Sequence, residues 1–508
     1  MIGRPGGSAV ARGALAVAAA TLLVKLLGLA KEATLAAVFG SSSDMDALSL
    51  SLLVPQTLAS LLASSVPLAL IPAYFAARSR SGDEAADALF RAASTATVLV
   101  LAVLSAAIAA FSGPIAAVVA GGHSAERAAL TARLLSGSGL VLAAAGAVAC
   151  LRARLFAEER FAAGAVGPAL VSLAVLAVLL FPSGRTAEAV VLAILAGFAA
   201  KAAFLALALR RAGIALPFGF SLRAEGLSRF LTVSVPIVIG TGVVSLNALV
   251  DQCVASRLPE GSVASLRFAD QVLQIPVALV AVAISTAAFP VFSRTAASGD
   301  LAGLKRAFSG SVRSVLIVAL PASAVLVAVP DVVVSLLFER GAFDAASTAG
   351  AAAPLRFYGL ALPFLAYGYV NGRAYNALGE NGVLVKVGAA TLGLNLVLDL
   401  ALVGPFGLAG IAASTVLAQG AAALALFALL ARRIGPVVEP AAVRSIARGV
   451  ASALALGLVL FVLERRLSPT AGGALLVLAA AVPAALGLGL VFHRAEISSL
   501  VVLLRRRP

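Results

Sequence analysis

The chemistry open to this chain rests on ionisable and polar side chains placed inside long apolar stretches. The first such stretch holds Lys25, Lys31 and Glu32, and the second opens with Asp44 and Asp46. A Lys, Arg or Asp near the centre of a membrane helix costs about 2.5–3.5 kcal/mol on insertion scales, so each must face a cavity or a partner. On a helix Lys25 and Glu32, seven residues apart, share one face, while Lys31 lies about 120° round from Lys25. Two readings follow. One is a structural ion pair between a lysine and Glu32 or Asp46. The other is a cationic wall for an anionic headgroup, with the carboxylates holding the lysines in place or competing with the ligand during gating.

A second constellation lies further along the chain: Asp251, then Asn395 and Asp399 four apart on one helical face, then Thr415. Two carboxylates, an amide and a hydroxyl are hard oxygen ligands, which suit Na⁺ or a proton and not a soft metal. The same groups serve equally as hydrogen-bond glue between helices, worth about 1 kcal/mol per contact in a membrane, and residue types alone leave both readings open. Enzyme motifs are missing: the chain has no Gly-Lys pair for a phosphate loop, and its two histidines, His123 and His493, do not form a zinc helix. No catalysis, and no cofactor beyond a coupling Na⁺, is therefore expected. Cys150 and Cys253 sit in apolar stretches and support no disulfide framework. Phe357, Tyr358, Tyr367, Tyr369 and Tyr375 read first as packing and second as the lining of a sugar path, and Lys201 as a side chain that snorkels.

The elements that position these residues follow from composition. Of 508 residues 61% are hydrophobic and 12% charged, against roughly 45–50% and about 25% in soluble domains. The bilayer is the solvent, and a large soluble catalytic unit is excluded. Apolar runs place fourteen spans at 12–40, 45–77, 86–120, 128–151, 161–182, 187–209, 230–256, 261–292, 309–337, 347–378, 382–402, 406–431, 443–463 and 471–492. The expected fold is an all-α polytopic membrane protein. Pro55, Pro67 and Pro72 in the second span, and Pro276 and Pro290 in the eighth, predict kinked or broken helices. Arg4 and Arg12 before an apolar run imitate a secretory signal, but Lys25 interrupts the run and further spans follow, so a retained first helix is expected.

The net charge of +15 belongs to topology rather than to nucleic acid. Across alternating loops, 26 of the 38 Lys and Arg fall on the side of the N-terminus and 9 on the other, the remaining three being Lys25, Lys31 and Lys201 inside spans. That asymmetry predicts both termini in the cytoplasm, with Arg505, Arg506 and Arg507 as a basic anchor on the inner leaflet. An internal repeat is also visible. Ser81-Gly82-Asp83 is echoed by Ser298-Gly299-Asp300 at an offset of 217, and Arg152-Ala153-Arg154 by Arg373-Ala374-Tyr375 at 221. The implied organisation is a six-span bundle over 1–212, a linker over 213–229, a second bundle over 230–433, and two further helices with the tail over 434–508. Repeats of this kind place a substrate site between their halves.

Taken together, Lys25-Leu-Leu-Gly-Leu-Ala-Lys31-Glu32, Val38-Phe39-Gly40, Asp46-Ala47, Pro55 and Ile71-Pro72 resemble the opening of the MurJ (MviN) family of lipid II flippases, in the multidrug/oligosaccharidyl-lipid/polysaccharide exporter superfamily. The resemblance continues through Gly261-Ser262-Val263, Phe268-Ala269-Asp270, the stretch from Leu337 to Phe343, that from Arg373 to Gly379, and Leu394-Asn395 to Asp399. It implies fourteen helices as two pseudo-symmetric bundles plus two, around a cavity for a lipid-linked glycan diphosphate. On that basis the substrate-binding set is Lys25, Lys31, Glu32, Asp46, Asp270 and Gln271, and Asp251, Asn395, Asp399 and Thr415 match the family's sodium site. Three departures stand out: lysines replace the usual arginines at positions 25 and 31, Ala59 and Gln271 stand where further arginines are usual, and Ser64 to Ala69 replaces the usual Glu-Gly-Ala-Phe-Ser-Gln. Lysine meets a diphosphate as a point charge, without the bidentate fork of arginine.

The expected function is translocation of lipid II from the inner to the outer leaflet of a bacterial cytoplasmic membrane by alternating access. Its partners are then the lipid-linked glycan diphosphate, membrane lipids and cell-wall synthesis proteins. The alternatives are a paralogue that flips another polyprenyl-linked oligosaccharide and, ranked below it, a cation-coupled drug exporter or a non-transporting cell-wall scaffold.

Overall fold

A computed structural model describes residues 7–122, 124–219, 224–435, 437, 440–467 and, beyond them, 473, 475–481, 483, 484 and 487. Arg4, His123, Arg223, His493, Arg494, the tail arginines and half of the fourteenth expected span lie outside the described residues. Every regular element among the described residues is helical. The chain forms two compact units, Met1–Val263 and Ala264–Pro508.

In the first unit the helices are α1 (Gly7–Phe39), α2 (Ser43–Ala110), α3 (Ser112–Val119), α4 (Ala125–Ser138), α5 (Leu140–Ala157), α6 (Phe161–Val166), α7 (Pro168–Leu179), α8 (Ala187–Arg211) and α9 (Leu227–Ala255). Helix α2 contains two spans. It reverses at Gly82, whose φ of 85° and ψ of −179° are open to glycine alone. The rings of Tyr74 and Phe90 stack edge-on at 5.6 Å, whereas sixteen residues of unbroken helix would separate them by about 24 Å. The two arms of α2 pack on α4, α5 and α9, and α1 lies against α6 and α7.

The second unit follows with α10 (Ser262–Pro276), α11 (Ala283–Ala297), α12 (Leu301–Ala328), α13 (Pro330–Phe338), α14 (Ala345–Leu378), α15 (Asn381–Ile434) and α16 (Pro440–Leu467). Between α10 and α11 the chain winds as a π turn, Val277–Val282, directly after Pro276, as a proline that removes an intrahelical N–H invites. Helix α15 reverses at Gly407 (φ 55°) just after Pro405. Helix α14 packs on α11, α12, α13 and α15, and α12 on α16.

The first thirteen expected spans all fall on helix. Four differ in outline. The third is interrupted at Phe111, the fourth at Gly139, the fifth at Gly167, and the ninth begins at Leu301 and breaks at Val329. Each break falls at residues that interrupt a helix, with Ser112-Gly113-Pro114 after Phe111, Ser136-Gly137-Ser138 before Gly139, Pro168 after Gly167 and Pro330-Asp331 after Val329, local marks that hydropathy averaged over a span passes over.

The repeat extends into the packing. At an offset of 218, Tyr74 corresponds to Phe292 and Phe90 to Phe308, and this second aromatic pair also meets, with ring centroids 6.3 Å apart. Gly82 and Gly299 both adopt positive φ, 85° and 70°.

Candidate functional site

Helix α1 brings its charges together at neighbouring positions. Lys31 Nζ lies 2.7 Å from Glu32 Oε1, with the Glu32 side chain almost wholly buried. Adjacent helix positions point about 100° apart, but the four-carbon lysine stem spans that angle. Lys25, which shares a face with Glu32, is exposed beside Leu22, Leu23 and Leu26, and among the described residues no ion pair to it is recorded.

Asp46 lies at the start of α2, 1% exposed, where its Oδ2 accepts the Gly261 N–H at 2.7 Å. The neighbouring Glu260 accepts the Ser43 N–H at 3.0 Å through Oε1 and the Arg127 guanidinium through Oε2. A Cβ on Gly261 would collide with Ser41 O, and one on Gly122 with the backbone of Ser256 and Arg257, so glycine at both positions permits backbone-to-backbone approach. The loop after α9 is thereby latched to the α1–α2 turn and to the α3–α4 turn. Hydrogen bonds from Ser43, reinforced by the Arg127 charge, hold the Glu260 carboxyl below the usual carboxylate range. Sequence reading missed Glu260, Arg127 and Gly122; the Glu260-Gly261 turn and the presence of Arg127 on the sparsely basic side were the available signals.

In the second unit the two arms of α15 meet at Asp399, which is fully buried. Asn395 Nδ2 donates to its Oδ2 at 3.1 Å, and the Ser414 hydroxyl contacts its Oδ1. Fifteen residues of straight helix would hold Asp399 and Ser414 about 22 Å apart, so the reversal at Gly407 creates this contact. Thr415, the residue expected there, donates to Ile411 O at 3.2 Å. Ser414 is the residue that sequence reading missed; its position beside Thr415 was the signal. Asp251 is buried in α9 of the first unit. The donor set of Asp399, Asn395, Ser414 and Thr415 is all hard oxygen once the Asn395 carbonyl is counted, which fits a small hard cation. No cluster of three His, Cys, Asp or Glu occurs among the described residues. On α10, Asp270 is half-buried and accepts Gln274 Nε2 at 3.1 Å, and Gln271 is also half-buried.

One buried cation was counted at sequence level only as topology. Arg154, 6% exposed, contacts Asp87 at 2.8 Å and Glu158 at 3.4 Å, and lies over the rings of Tyr74 and Phe90 at 4.9 and 5.3 Å. Its repeat equivalent Tyr375 is buried and donates to Leu426 O at 3.3 Å. Beside this cluster a cavity of about 300 Å³ lies between the arms of α2 and the start of α9, lined by Leu68, Pro72, Leu89 and Phe230 together with Arg80 and Arg229.

Two repeated helical units carrying buried charges define a multi-pass membrane protein with a transporter fold. The fold is shared with a solved inward-facing multidrug resistance MATE family transporter of the MOP superfamily (TM-score 0.64, 16% identity, 83% of this chain and 98% of that one). It is shared more closely with a solved lipid II flippase MurJ in an inward closed conformation (TM-score 0.82, 20% identity, 95% and 99% coverage). The chain belongs to the lipid II flippase MurJ family, whose sequence model matches residues 35–481. Among its relatives are probable lipid II flippases MurJ of Rhizobium meliloti (28% identity, covering 82% of this chain and 80% of the relative) and Rhizobium tropici (26%, covering 90% and 88%).

Proposed function

We propose that this chain is a transporter that moves lipid II, the polyprenyl-diphosphate-linked peptidoglycan precursor, across a bacterial inner membrane by alternating access, and that it performs no bond chemistry. The observation that carries the reading is the family match over residues 35–481. Lys25 and Lys31 are the groups to attract the diphosphate. Lys31 already holds Glu32 as counter-ion, so an incoming diphosphate competes with a carboxylate for it, and binding and release are both reversible. The apolar cavity flanked by Arg80 and Arg229 has the chemistry to accept an anionic amphiphile on its way in.

Charge asymmetry supports cytoplasmic termini. With that orientation the Asp46–Gly261 and Glu260–Arg127 latch lies on the outer side, and its release belongs to outward opening. An interior-negative potential favours outward movement of an anion by about 2.3 kcal/mol per charge per 100 mV. Asp399, Asn395, Ser414 and Thr415 would hold a coupling Na⁺, which would supply a charge whose return inward accompanies the cycle. Cell-wall synthesis proteins are the natural partners for handing over and receiving the lipid.

The test is genetic and chemical. A host depleted of its own lipid II flippase and expressing this chain should regain growth and outer-leaflet lipid II; correct insertion without either would refute the assignment. Ala59 and Gln271, where the family usually carries arginine, favour a second reading, a flippase for another polyprenyl-linked oligosaccharide. In that case the outer leaflet gains the other glycan lipid and lipid II does not return.

A further inference from the structure

The cavity of about 300 Å³ in the first unit is a trench with one charged end. Leu68, Pro72, Ala76 and Arg80 follow one another at four-residue intervals along one side of the first arm of α2 and line its length, a run of about 18 Å at 1.5 Å per residue. One leaflet of a bilayer core is about 15 Å deep, so the trench matches one lipid chain from headgroup to tail. Small side chains such as Ala73 and Ala77 leave it open, and the buried rings and methyls of Phe230 and Leu89 form its floor.

The charges lie where the chain reverses. Arg80 precedes the Gly82 turn by two residues, and Glu225 and Arg229 bracket the start of α9. All three side chains are exposed. Among the described residues no ion pair or hydrogen bond to any of them is recorded, and the nearby Asp83 is held by Arg78 at 2.5 Å. Two guanidiniums and one carboxylate therefore share a mouth without neutralising one another. Helix α9 adds positive potential. It starts at Gly226 with no side-chain cap, and among the described residues the N–H groups of Ser228 and Arg229 have no recorded acceptor, which makes that end receptive to a phosphate.

Charge complementarity then selects the headgroup. A phosphate answers Arg80, Arg229 and the α9 terminus, and a cation bearing N–H groups answers Glu225. Phosphatidylglycerol brings no cation to Glu225, and phosphatidylcholine brings one without an N–H. We propose that the cavity between the arms of α2 and the start of α9 holds one phosphoethanolamine lipid, with its phosphate on Arg80 and Arg229, its ammonium on Glu225 and one acyl chain along Ala76, Pro72 and Leu68. The site does not depend on the transport reading. If that reading holds, an anionic substrate entering here displaces a resident lipid rather than filling an empty trench.

Native mass spectrometry of the full-length protein in detergent, titrated separately with phosphatidylethanolamine, phosphatidylglycerol and phosphatidylcholine, tests the site with no substrate present. One phosphatidylethanolamine should be held more tightly than either of the others. Arg80→Gln and Arg229→Gln should each weaken it about fivefold, the effect of one basic residue at a membrane surface, while Arg78→Gln leaves it unchanged. Glu225→Gln should reverse the order, so that phosphatidylglycerol binds better than phosphatidylethanolamine. Ala76→Phe keeps all three charges, fills the trench and should weaken phosphatidylethanolamine too. The substituted side chains are exposed, and thermal unfolding of each variant checks that it folds. A preference for phosphatidylethanolamine that survives both Glu225→Gln and Ala76→Phe would overturn the site. Tighter binding of phosphatidylglycerol by the parent would overturn the headgroup, and displacement by excess inorganic phosphate would assign the mouth to a free anion. Loss of this site leaves rescue of a flippase-depleted host untouched as evidence for transport, and failed rescue leaves the titration untouched.

Discussion

Asp46 accepts the Gly261 N–H at 2.7 Å across 215 residues of chain, joining the α1–α2 turn to the loop that follows α9. Both partners are buried, and an unmet buried N–H costs about 1–3 kcal/mol, so the bond favours the docked loop. Asp46→Ala should therefore raise the population of the undocked loop. Ser256 is fully buried in this arrangement. In a Cys150→Ala, Cys253→Ala background, a cysteine introduced by Ser256→Cys should resist maleimide, and adding Asp46→Ala should speed its labelling several-fold. Unchanged labelling would mean that Asp46 does not hold the loop.

Glu260 gives the same latch a pH dependence. Its folded-state carboxyl titrates lower than usual because Ser43 and Arg127 favour the charged form. A depressed value means that the contribution is fully present above the ordinary glutamate value, about 4.3, and is lost as pH falls through the depressed one. Labelling of the Ser256→Cys protein, divided at each pH by that of the same protein unfolded so that the falling thiolate fraction cancels, should thus stay flat from neutral pH down to about 5 and rise only in stronger acid. Glu260→Gln should show the raised level already at neutral pH. A rise near pH 6 in the parent would assign the switch to another group.

For transport, Lys25→Ala and Lys31→Ala should each abolish rescue of a flippase-depleted host while the protein still inserts, and Lys31→Arg should retain it. Glu32→Gln frees Lys31 from its 2.7 Å partner and should tighten headgroup binding while slowing release, read as higher lipid II occupancy with lower flux. Full rescue by both alanine variants would remove the cationic wall from the mechanism.

At the second constellation, Asp399→Ala should abolish any Na⁺ dependence of transport, and Ser414→Ala should weaken apparent Na⁺ affinity because it removes a hydroxyl oxygen beside Asp399. A parental Na⁺ response in Asp399→Ala would reduce the cluster to helix–helix glue.

Structural stability should separate the two halves of the repeat. Arg154→Met takes the buried cation from Asp87 and Glu158, whose side chains are about a third exposed and can rehydrate, so its cost should fall below about 3–5 kcal/mol, that of breaking a fully buried pair. Tyr375→Phe at the equivalent position removes one hydrogen bond and should cost about 1 kcal/mol. Thermal unfolding in detergent compares them, and equal shifts would contradict the buried-charge account of Arg154.

The sequence by itself determined the solvent, the spans and the repeat, because these are written in local hydropathy and short motifs: thirteen expected spans became helix, and Ser81-Gly82-Asp83 with its echo marked two equivalent reversals. It also placed Asn395 and Asp399 in contact, since four residues on a helix bring two side chains to one face. Only the tertiary structure decided the rest. Ser414 reaches Asp399 because the chain reverses at Gly407, and Asp46 reaches Gly261 because glycines at 122 and 261 let backbones approach. Lys31, not Lys25, took Glu32 because a long flexible stem is not bound by helical spacing. Hydropathy registers whether a residue can leave water, but it holds no record of which distant atom meets that residue once it has done so.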